Sequence, residues 1–398
     1  MNKNSFDVAV IGLGALGSST LWQLSKSGKR ILGIDQFSPP HTMGSSHGET
    51  RITRLAVGEG MDFVPIVKRS HEIWKDIEAI TGEKIMTTTG GLLFDSGEKS
   101  WSKHGSEGFF KRTVQFAKEG DIPFEVFDSH ELKKRFSEFN LEESGMAYYE
   151  PSAGFLKPEL AITTQIKLAE ENQAIIKTHT KVHGIRPLEG GGVKIITNQG
   201  QFEAVRAVIS AGAWVKDFLF ESEKPHFKIC RQILHWLPKK GSGFELGKTP
   251  VYMWGFGEGP EDFVYGFPSL DGKSVKMASE SFLEKNHPDT LSREVSPEEE
   301  ALFIQEKIAN RFNHLEKKVL RSKVCIYTVT QDSYFLVDEL PDFPEVLVVS
   351  ACSGHGFKHS AALGEAISAK ILEKTLLFSL DKFRWRHLKK ISTKNNLR

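Results

Sequence analysis

The chain of 398 residues is poor in cysteine, and several classes of protein are excluded by what it lacks. Its three cysteines (Cys230, Cys325 and Cys352) are too few for a disulfide framework, and their spacing matches no zinc-binding pattern. No apolar run approaches the ~18 residues of a membrane-spanning helix. The net charge of +1, from 52 basic and 51 acidic residues, gives no general attraction to nucleic acid. We therefore expect a cytoplasmic protein with no metal, nucleic-acid or membrane partner.

The length favours two domains, and the 39% hydrophobic content with 28 phenylalanines is enough for a core in each. Nucleotide-fold features at residues 6–35, 174–214 and 346–374 alternate with two other stretches. This pattern predicts an α/β fold in which a discontinuous cofactor domain receives an inserted substrate domain. The cofactor domain is predicted to comprise residues 1–86, 155–222 and 336–398, and the substrate domain residues 87–154 and 223–335.

Hydrophobic periodicity predicts the secondary structure of both domains. The chain opens with a strand, a helix and a second strand at 6–11, 15–27 and 31–35. Further helices are predicted at 65–80, 160–170, 297–311 and 361–374. Strands are predicted at 174–182, 192–197 and 346–350, and residues 207–214 are predicted to be a strand that enters a Gly-Ala turn. An alternating β-like pattern extends from 226 to 335.

Glycines in the first turn match a dinucleotide-binding motif. Gly12 permits a tight turn, Gly14 lets the backbone approach a pyrophosphate, and Gly17 lets the helix pack on the strand. The helix from Ala15 would direct free N–H groups at the phosphates. Asp35 ends the second strand, where an acid accepts ribose hydroxyls and disfavours the 2′-phosphate of NADP. The same letters occur in ordinary glycine turns, and the choice between NAD and FAD depends on the remaining chain.

Residues 39–54 closely resemble the flavin-contacting loop of the monomeric sarcosine oxidase and N-methyltryptophan oxidase family. The resemblance continues through residues 58–60, 90–92, 150–154, 212–214, 265–269, 325–328 and 353–358. It implies a glutathione-reductase-like, Rossmann-type FAD domain with an inserted α+β substrate domain built on a mixed sheet. It also implies a monomer that oxidises the secondary amine of an N-substituted amino acid with O2, giving H2O2 and an imine that hydrolyses.

The motif and the resemblance together assign the FAD contacts. The cofactor-binding residues are expected to be Gly12, Gly14, Ala15, Leu16, Gly17, Asp35, Gln36, Ser45, His47, Thr50, Arg51, Val182, Gly212, Trp214, Cys325, Gly354, His355, Gly356, Phe357 and Lys358. Taken alone, Cys325 would be a small core residue. In its Cys-Ile-Tyr-Thr setting it matches the residue that family members link through sulfur to the flavin. Cys352 is interpreted as a packing residue.

Two basic residues, Arg54 and Lys358, match those that bind the substrate carboxylate in the family. A fork-shaped guanidinium together with an ammonium suits such a two-oxygen anion. Arg51 matches a residue close to the flavin ring. Since Arg51 and Arg54 are three positions apart, they would share one face of a helical turn. Surface pairing with Glu49 or Glu59 is the structural alternative.

The residues assigned to catalysis are Arg51, Lys276, Tyr265 and Glu280. Lys276 matches the lysine that faces the flavin and activates O2. Lys276, Ala278 and Glu280 alternate on a predicted strand and would share one face, where a Lys276–Glu280 salt pair is the alternative. Glu280 departs from the family, which has histidine there, and fructosyl-amino acid oxidases use an acid at this position. Met253 is assigned to the substrate pocket, although it could equally serve packing.

Three other functions stay open. A fructosyl-amino acid (Amadori) oxidase is favoured by the acid at Glu280. A flavin amine dehydrogenase would pass electrons to an acceptor other than O2, and Lys276 argues against it. A non-catalytic dinucleotide-binding protein would use the glycine motif only, which leaves Cys325 and residues 353–358 unexplained.

Overall fold

The computed structural model describes residues 3–96, 101, 108–285 and 287–386. Its helices are α1 (Ala15–Ser25), α2 (Phe63–Thr81), α3 (Phe109–Glu119), α4 (Ser129–Arg135), α5 (Pro158–Glu171), α6 (Pro297–Phe303) and α7 (Ser360–Ile371). Its strands are β1 (Ser5–Ile11), β2 (Ile31–Ile34), β3 (Arg51–Thr53), β4 (Met86–Thr88), β5 (Gly91–Asp95), β6 (Glu125–Asp128), β7 (Met146–Glu150), β8 (Gly154–Leu156), β9 (Ile175–Lys177), β10 (Val182–Pro187), β11 (Val193–Thr197), β12 (Gly200–Ile209), β13 (Phe227–Pro238), β14 (Val251–Gly255), β15 (Phe263–Gly266), β16 (Ser274–Ala278), β17 (Glu284–Lys285), β18 (Arg321–Thr330), β19 (Leu336–Leu340) and β20 (Phe343–Ser350).

The first sheet is parallel at its centre, in the order β9-β2-β1-β12-β20. β1 lies between β2 and β12, so that Val10 faces Gly33 on one side and Val208 on the other. β2 is a continuous buried apolar run, and the buried ends of β1 and β12 are apolar as well, as expected for parallel strands covered on both faces. The antiparallel strand pairs β10–β11 and β19–β20 extend the sheet. In such a sheet a ligand-binding cleft is expected at the carboxyl ends of the strands, beside β1, where the chain connections run to opposite sides.

Helices cover one face of this sheet. α1 packs against α5 and α7, and α2 packs against α7. Their shared core includes Leu21, Trp74 and Leu363, all fully buried. α5 begins with Pro158 at its first turn, where the missing N–H costs nothing. The glutathione-reductase-like α/β fold predicted from the sequence is confirmed.

The second sheet is mixed, as predicted. Its strands run β17-β13-β16-β15-β14-β5-β7-β6, with β18 also pairing β13. β5 and β14 are parallel, whereas the other pairs are antiparallel. Aromatic side chains fill the core on one side, with Phe139 contacting Phe94, Tyr252 and Phe312. The third sheet has the strand order β3-β8-β4. Along the chain, its strands lie between strands of the first sheet and strands of the second.

The first two sheets take their strands from different stretches of the chain. Strands of the first sheet lie within 5–34, 175–209 and 336–350, and those of the second within 91–150 and 227–330. The exact division into two domains stays a prediction, and its parts at 1–2, 97–100, 102–107, 286 and 387–398 lie outside the described residues. None of the helices in the described ranges combines the length and the apolar character needed to cross a membrane.

Two local predictions were wrong. Arg51 and Arg54 do not share a helical turn, because residues 51–53 form β3 and pair with β8. Glu280 does not continue the alternation of Lys276, since β16 ends at Ala278. The helix predicted over 297–311 is largely confirmed, because α6 continues as a π-helix over Ile304–Ile308. A capping box of Ser296 and Glu299 starts α6 as its sequence favours.

Candidate active site

A deep cleft opens at the carboxyl ends of β1 and β2 and extends to the second sheet. Residues from both ends of the chain line it, in agreement with the cofactor contacts expected near residues 12–17 and 354–358. The predicted residues on its wall are Gly12, Gly14, Ala15, Leu16, Asp35, Gln36, Ser45, Arg51, Arg54, Val182, Gly212, Trp214, Met253, Tyr265, Glu280, Gly354, His355, Gly356, Phe357 and Lys358.

Five predicted residues do not line the cleft. They are Gly17, His47, Thr50, Lys276 and Cys325. Four of them contact or adjoin residues that do line the cleft, whereas Lys276 lies further behind the wall and contacts Gly48 and Thr50. Gly17 packs on Gly12, and Thr50 precedes Arg51 in the chain. These positions support the wall instead of forming its surface.

The glycine turn has the geometry of a phosphate-binding loop. Gly12 adopts a φ of +90°, which L side chains rarely adopt, and a Cβ there would lie 2.6 Å from the carbonyl oxygen of Ser210. A Cβ on Gly17 would lie 1.8 Å from the carbonyl oxygen of Gly12, so only glycine allows α1 to begin so close to β1. Gly14 has open space beside it. The cleft therefore reaches the backbone at the N-terminus of α1, where N–H groups and the helix dipole favour a phosphate.

Asp35 is fixed at the end of β2 by two backbone groups. Its Oδ2 accepts a hydrogen bond from the Leu13 N–H and its Oδ1 one from the Phe37 N–H, both at 2.8 Å. Burial raises the pKa of Asp35 above its usual value, although these hydrogen bonds oppose the rise. Each oxygen keeps acceptor capacity toward the cleft, as an acid that binds ribose hydroxyls requires.

Arg51 lines the cleft and contacts the Cys325 sulfur behind it. Its guanidinium donates to the carbonyl oxygens of Thr50 at 2.7 Å and Ser45 at 2.5 Å, and it lies 3.5 Å from Cys325 Sγ. The sulfur also lies 3.5 Å from the Ser45 carbonyl oxygen. His47 is buried nearby, and burial together with the charge of Arg51 lowers its pKa to about 3. Its ring is therefore neutral beside these cations.

The basic residues assigned to carboxylate binding have different partners. Arg54 Nη2 forms an ion pair with Glu59 Oε2 at 2.8 Å, and both side chains are buried. Arg54 Nη1 donates to the carbonyl oxygen of Ala56. Lys358 Nζ donates to the carbonyl oxygen of His355 at 2.8 Å. Burial, followed by the positive charge of Lys358, lowers the pKa of His359 well below its usual value, and Arg54 and Glu59 also act on this ring.

Two phenols and a carboxylate form the opposite part of the wall. The hydroxyls of Tyr265 and Tyr327 hydrogen-bond to each other, and both sense the charge of Glu280. Burial raises the pKa of Tyr265 to about 12 and that of Tyr327 well above its usual value. Both phenols are therefore neutral, and the Tyr327 hydroxyl donates to that of Tyr265. Met253 and Phe263 add apolar surface to this part of the cleft.

Lys276 holds the backbone of the Gly48–Thr50 turn. Its Nζ donates to the carbonyl oxygens of Gly48 at 2.6 Å and Thr50 at 2.8 Å, and contacts Thr50 Oγ1 at 3.1 Å. The ammonium also lies 4.7 Å from the ring centre of Phe267. Burial and the charge of Arg51 lower the pKa of Lys276 well below its usual value. The charge therefore lies in a dry region behind Arg51.

Sequence reasoning missed several wall residues. Glu59 and Tyr327 line the cleft and lie within the motifs at 58–60 and 325–328, and Cys352, interpreted from sequence as a packing residue, also lines it. Phe263 could have been predicted from Tyr265, because the two residues are two positions apart on β15 and therefore share one face of the sheet. No sequence signal marks Thr180 or Ser210. Among the described residues, no group of His, Cys, Asp and Glu side chains could hold a metal ion.

Comparisons with known proteins agree with this architecture. The profile of the family described as FAD dependent oxidoreductase matches residues 7–370. The monomeric sarcosine oxidase of Bacillus sp. (strain B-0618) is 36% identical over 370 residues, which cover 91% of each chain. The N-methyl-L-tryptophan oxidase of Yersinia pestis (strain Pestoides F) is 31% identical, over 95% of this chain and 100% of that protein. The amino acid oxidase NikD shares the fold, with a TM-score of 0.83 at 16% identity, over 96% of this chain and 97% of that one.

Proposed function

Because the chain belongs to the FAD-dependent oxidoreductase family, we propose that it oxidises the secondary amine of an N-substituted amino acid of the N-methyl type. The products are an imine, which hydrolyses, and H2O2 formed from O2. One observation carries the proposal: Arg54 and Lys358 lie on the same cleft wall as the glycine turn of β1. A substrate carboxylate and a dinucleotide would thus be bound side by side.

The residues present fit FAD. The glycine turn and the N-terminus of α1 would hold the pyrophosphate, and Asp35 would accept ribose hydroxyls. Val182, Gly212 and Trp214 line the cleft beside them, and residues 354–358 close its far end. When bound, FAD supplies the acceptor for two electrons and a proton from the amine carbon. We further propose that Cys325 attaches it through sulfur.

The protein positions the substrate by charge. A carboxylate would bind between Arg54 and Lys358, but it must share the Arg54 guanidinium with Glu59. The amine would then lie near the Glu280 carboxylate and the hydroxyls of the Tyr265–Tyr327 pair. Met253 and Phe263 exclude water on this side. Such orientation in a dry site lowers the barrier by avoiding reorganisation during the reaction.

Hydrogen peroxide yield tests the choice of acceptor. Lys276, which is held by the Gly48 and Thr50 carbonyl oxygens behind the cleft wall, would supply positive charge toward O2 as it gains electrons. We expect one H2O2 for each N-methylglycine consumed in air. Turnover that needs an added dye or quinone, without H2O2, would identify an amine dehydrogenase instead.

We expect Arg54→Met to raise the KM for N-methylglycine by about 100-fold, since a charge-assisted pair with the substrate carboxylate is lost. The kcat should fall much less. Steady-state kinetics measure both. Arg231→Met is the matched control, because it removes an arginine paired with Glu299 that does not line the cleft. An unchanged KM in Arg54→Met would remove this residue from the substrate site.

Glu280 favours a second candidate, the fructosyl-amino acid oxidase, because an acid can accept hydrogen bonds from sugar hydroxyls. With an N-methyl amino acid, the same carboxylate would stabilise the protonated amine, which cannot lose hydride. The pKa of the bound amine would then be raised. Flavin reduction should consequently increase with pH as this amine loses its proton.

We expect Glu280→Gln to move the pH of half-maximal flavin reduction downward by about one unit, since one nearby charge shifts a pKa by about that amount. Anaerobic stopped-flow reduction across pH measures it. Glu138→Gln, a buried glutamate that does not line the cleft, should leave the profile in place. A profile that is the same in all three proteins would exclude Glu280 from contact with the amine.

Two further properties belong to the proposal. Three free cysteines suit the reducing cytoplasm, where we place the protein. A monomeric state is supported by the name of the Bacillus relative. We also propose that the chain is divided into an FAD domain and an inserted substrate domain.

A further inference from the structure

Glu150 is a buried carboxylate next to the substrate arginine, and the proposed reaction gives it no role. It ends β7 and is 1% exposed. Its Oε1 accepts hydrogen bonds from the Leu55 N–H at 2.6 Å and the Ser152 hydroxyl at 2.8 Å. Its Oε2 accepts from the Ala56 N–H and the Tyr148 hydroxyl, both at 3.0 Å. Four neutral donors therefore fix the position of this charge.

The backbone held by Glu150 directly follows Arg54. Ala56 is bound from two directions, since its N–H donates to Glu150 and its carbonyl oxygen accepts from Arg54 Nη1. Arg54 lies just past the end of β3, so its own residue is not fixed by a strand. The position of its guanidinium consequently depends on where residues 55 and 56 are held.

We propose that Glu150 is a positioning residue, which fixes the backbone of residues 55 and 56 and thereby directs the Arg54 guanidinium at the substrate carboxylate. The inference rests on the proposed function of Arg54. Both oxygens are needed, because each faces one backbone N–H. A glutamine side chain would place its NH2 group against one of these donors in either orientation, and the segment would have to move.

The alternative is that the buried carboxylate of Glu150 only stabilises the fold. Glu138 offers a matched comparison, since its Oε1 accepts from the Phe244 N–H at 3.1 Å and from the Thr249 hydroxyl at 2.5 Å. It is also buried and does not line the cleft. Glu138→Gln would therefore test what the loss of a buried carboxylate does to the enzyme in general.

The experiment measures kcat and KM for N-methylglycine in the FAD-loaded enzyme. We expect Glu150→Gln to raise KM about tenfold with kcat within about twofold, because the loss of an aimed cation weakens ground-state and transition-state binding alike. Glu138→Gln should leave KM within about twofold. Melting temperatures of both variants show whether a stability change accompanies the effect.

A double-mutant cycle with Arg54→Met separates positioning from general damage. If Glu150 acts through Arg54, Glu150→Gln should change kcat/KM by less than about twofold in the Arg54→Met background. An effect of equal size in both backgrounds, or an unaltered KM in Glu150→Gln, would overturn the role of Glu150 alone. An unaltered KM in Arg54→Met would overturn the carboxylate site and this inference with it.

A milder variant covers the case in which Glu150→Gln does not fold. The pair Tyr148→Phe and Ser152→Ala removes two hydroxyl donors and keeps both backbone hydrogen bonds. It should raise KM about threefold in the wild-type background and leave kcat/KM unchanged beside Arg54→Met. A threefold loss of kcat/KM that persists beside Arg54→Met, or no loss in either background, would overturn the inference.

Discussion

Replacing Lys276 with methionine should slow reoxidation of the reduced enzyme by O2 about 1000-fold, while reduction by N-methylglycine changes less than about threefold. The reason is electrostatic. The ammonium lies behind the cleft wall, buried among the Gly48 and Thr50 carbonyl oxygens, where the field of a charge is poorly screened. Negative charge that develops as O2 is reduced would be stabilised there. Separate stopped-flow measurements of the two half-reactions give both rates.

The pH dependence of the wild-type enzyme should agree with this role. The lowered pKa of Lys276 means that its positive charge is present below that pKa and lost as the pH rises through it. Reoxidation should therefore slow at a pH below the usual lysine range, and Lys276→Met should lack this transition. Lys307→Met, which removes a largely buried lysine outside the cleft, serves as the control. Equal slowing of both half-reactions would contradict the assignment.

Cys325→Ala should abolish covalent retention of the flavin, so that acid precipitation yields a colourless protein pellet and a yellow supernatant. Cys325 is the candidate because its sulfur lies 3.5 Å from the guanidinium of Arg51, which itself lines the cleft. Wild-type protein should keep its colour in the pellet. The absorbance of the two fractions at the flavin band measures the result.

Cys352 is the matched control, because it lies on the cleft wall itself whereas Cys325 lies behind it. Burial raises the pKa of Cys352, and its sulfur accepts a hydrogen bond from the Thr328 N–H at 3.5 Å, so it is a poor nucleophile. We therefore expect Cys352→Ala to retain covalent flavin. Flavin that stays bound in Cys325→Ala and is lost in Cys352→Ala would move the attachment to Cys352.

Much of the cofactor site could be predicted from sequence, because local backbone geometry determines it. The turn at Gly12, the start of α1 and the acid at Asp35 follow one another within a single strand–helix–strand unit. Their spacing alone places them at one edge of the sheet. The first sheet could be predicted from the same strand–helix–strand unit, together with the later apolar segments that form its other parallel strands.

The substrate side was less predictable, since long-range pairing builds it. Residues 51–53 join β8, about a hundred positions later, and no local pattern distinguishes that strand from a helical turn. If Arg54 formed an ion pair within the protein, the sequence offered Glu49 or Glu59 as its partner and could not decide between them. The observed pair with Glu59 depends on how the backbone of residues 55 and 56 is held. Lys276 was correctly placed on a strand, but its contact with the Gly48–Thr50 turn is a tertiary feature.

Anaerobic flavin bleaching is the measurement that tests the central claim most directly. The purified yellow protein would be mixed without O2 with N-methylglycine or with fructosyl-glycine at equal concentration, and the flavin absorbance followed. The account predicts rapid bleaching by N-methylglycine and return of the colour when O2 is admitted. Bleaching by fructosyl-glycine alone would assign the protein to deglycation, with Glu280 as the specificity residue. No bleaching by either amine would contradict oxidation of N-substituted amino acids.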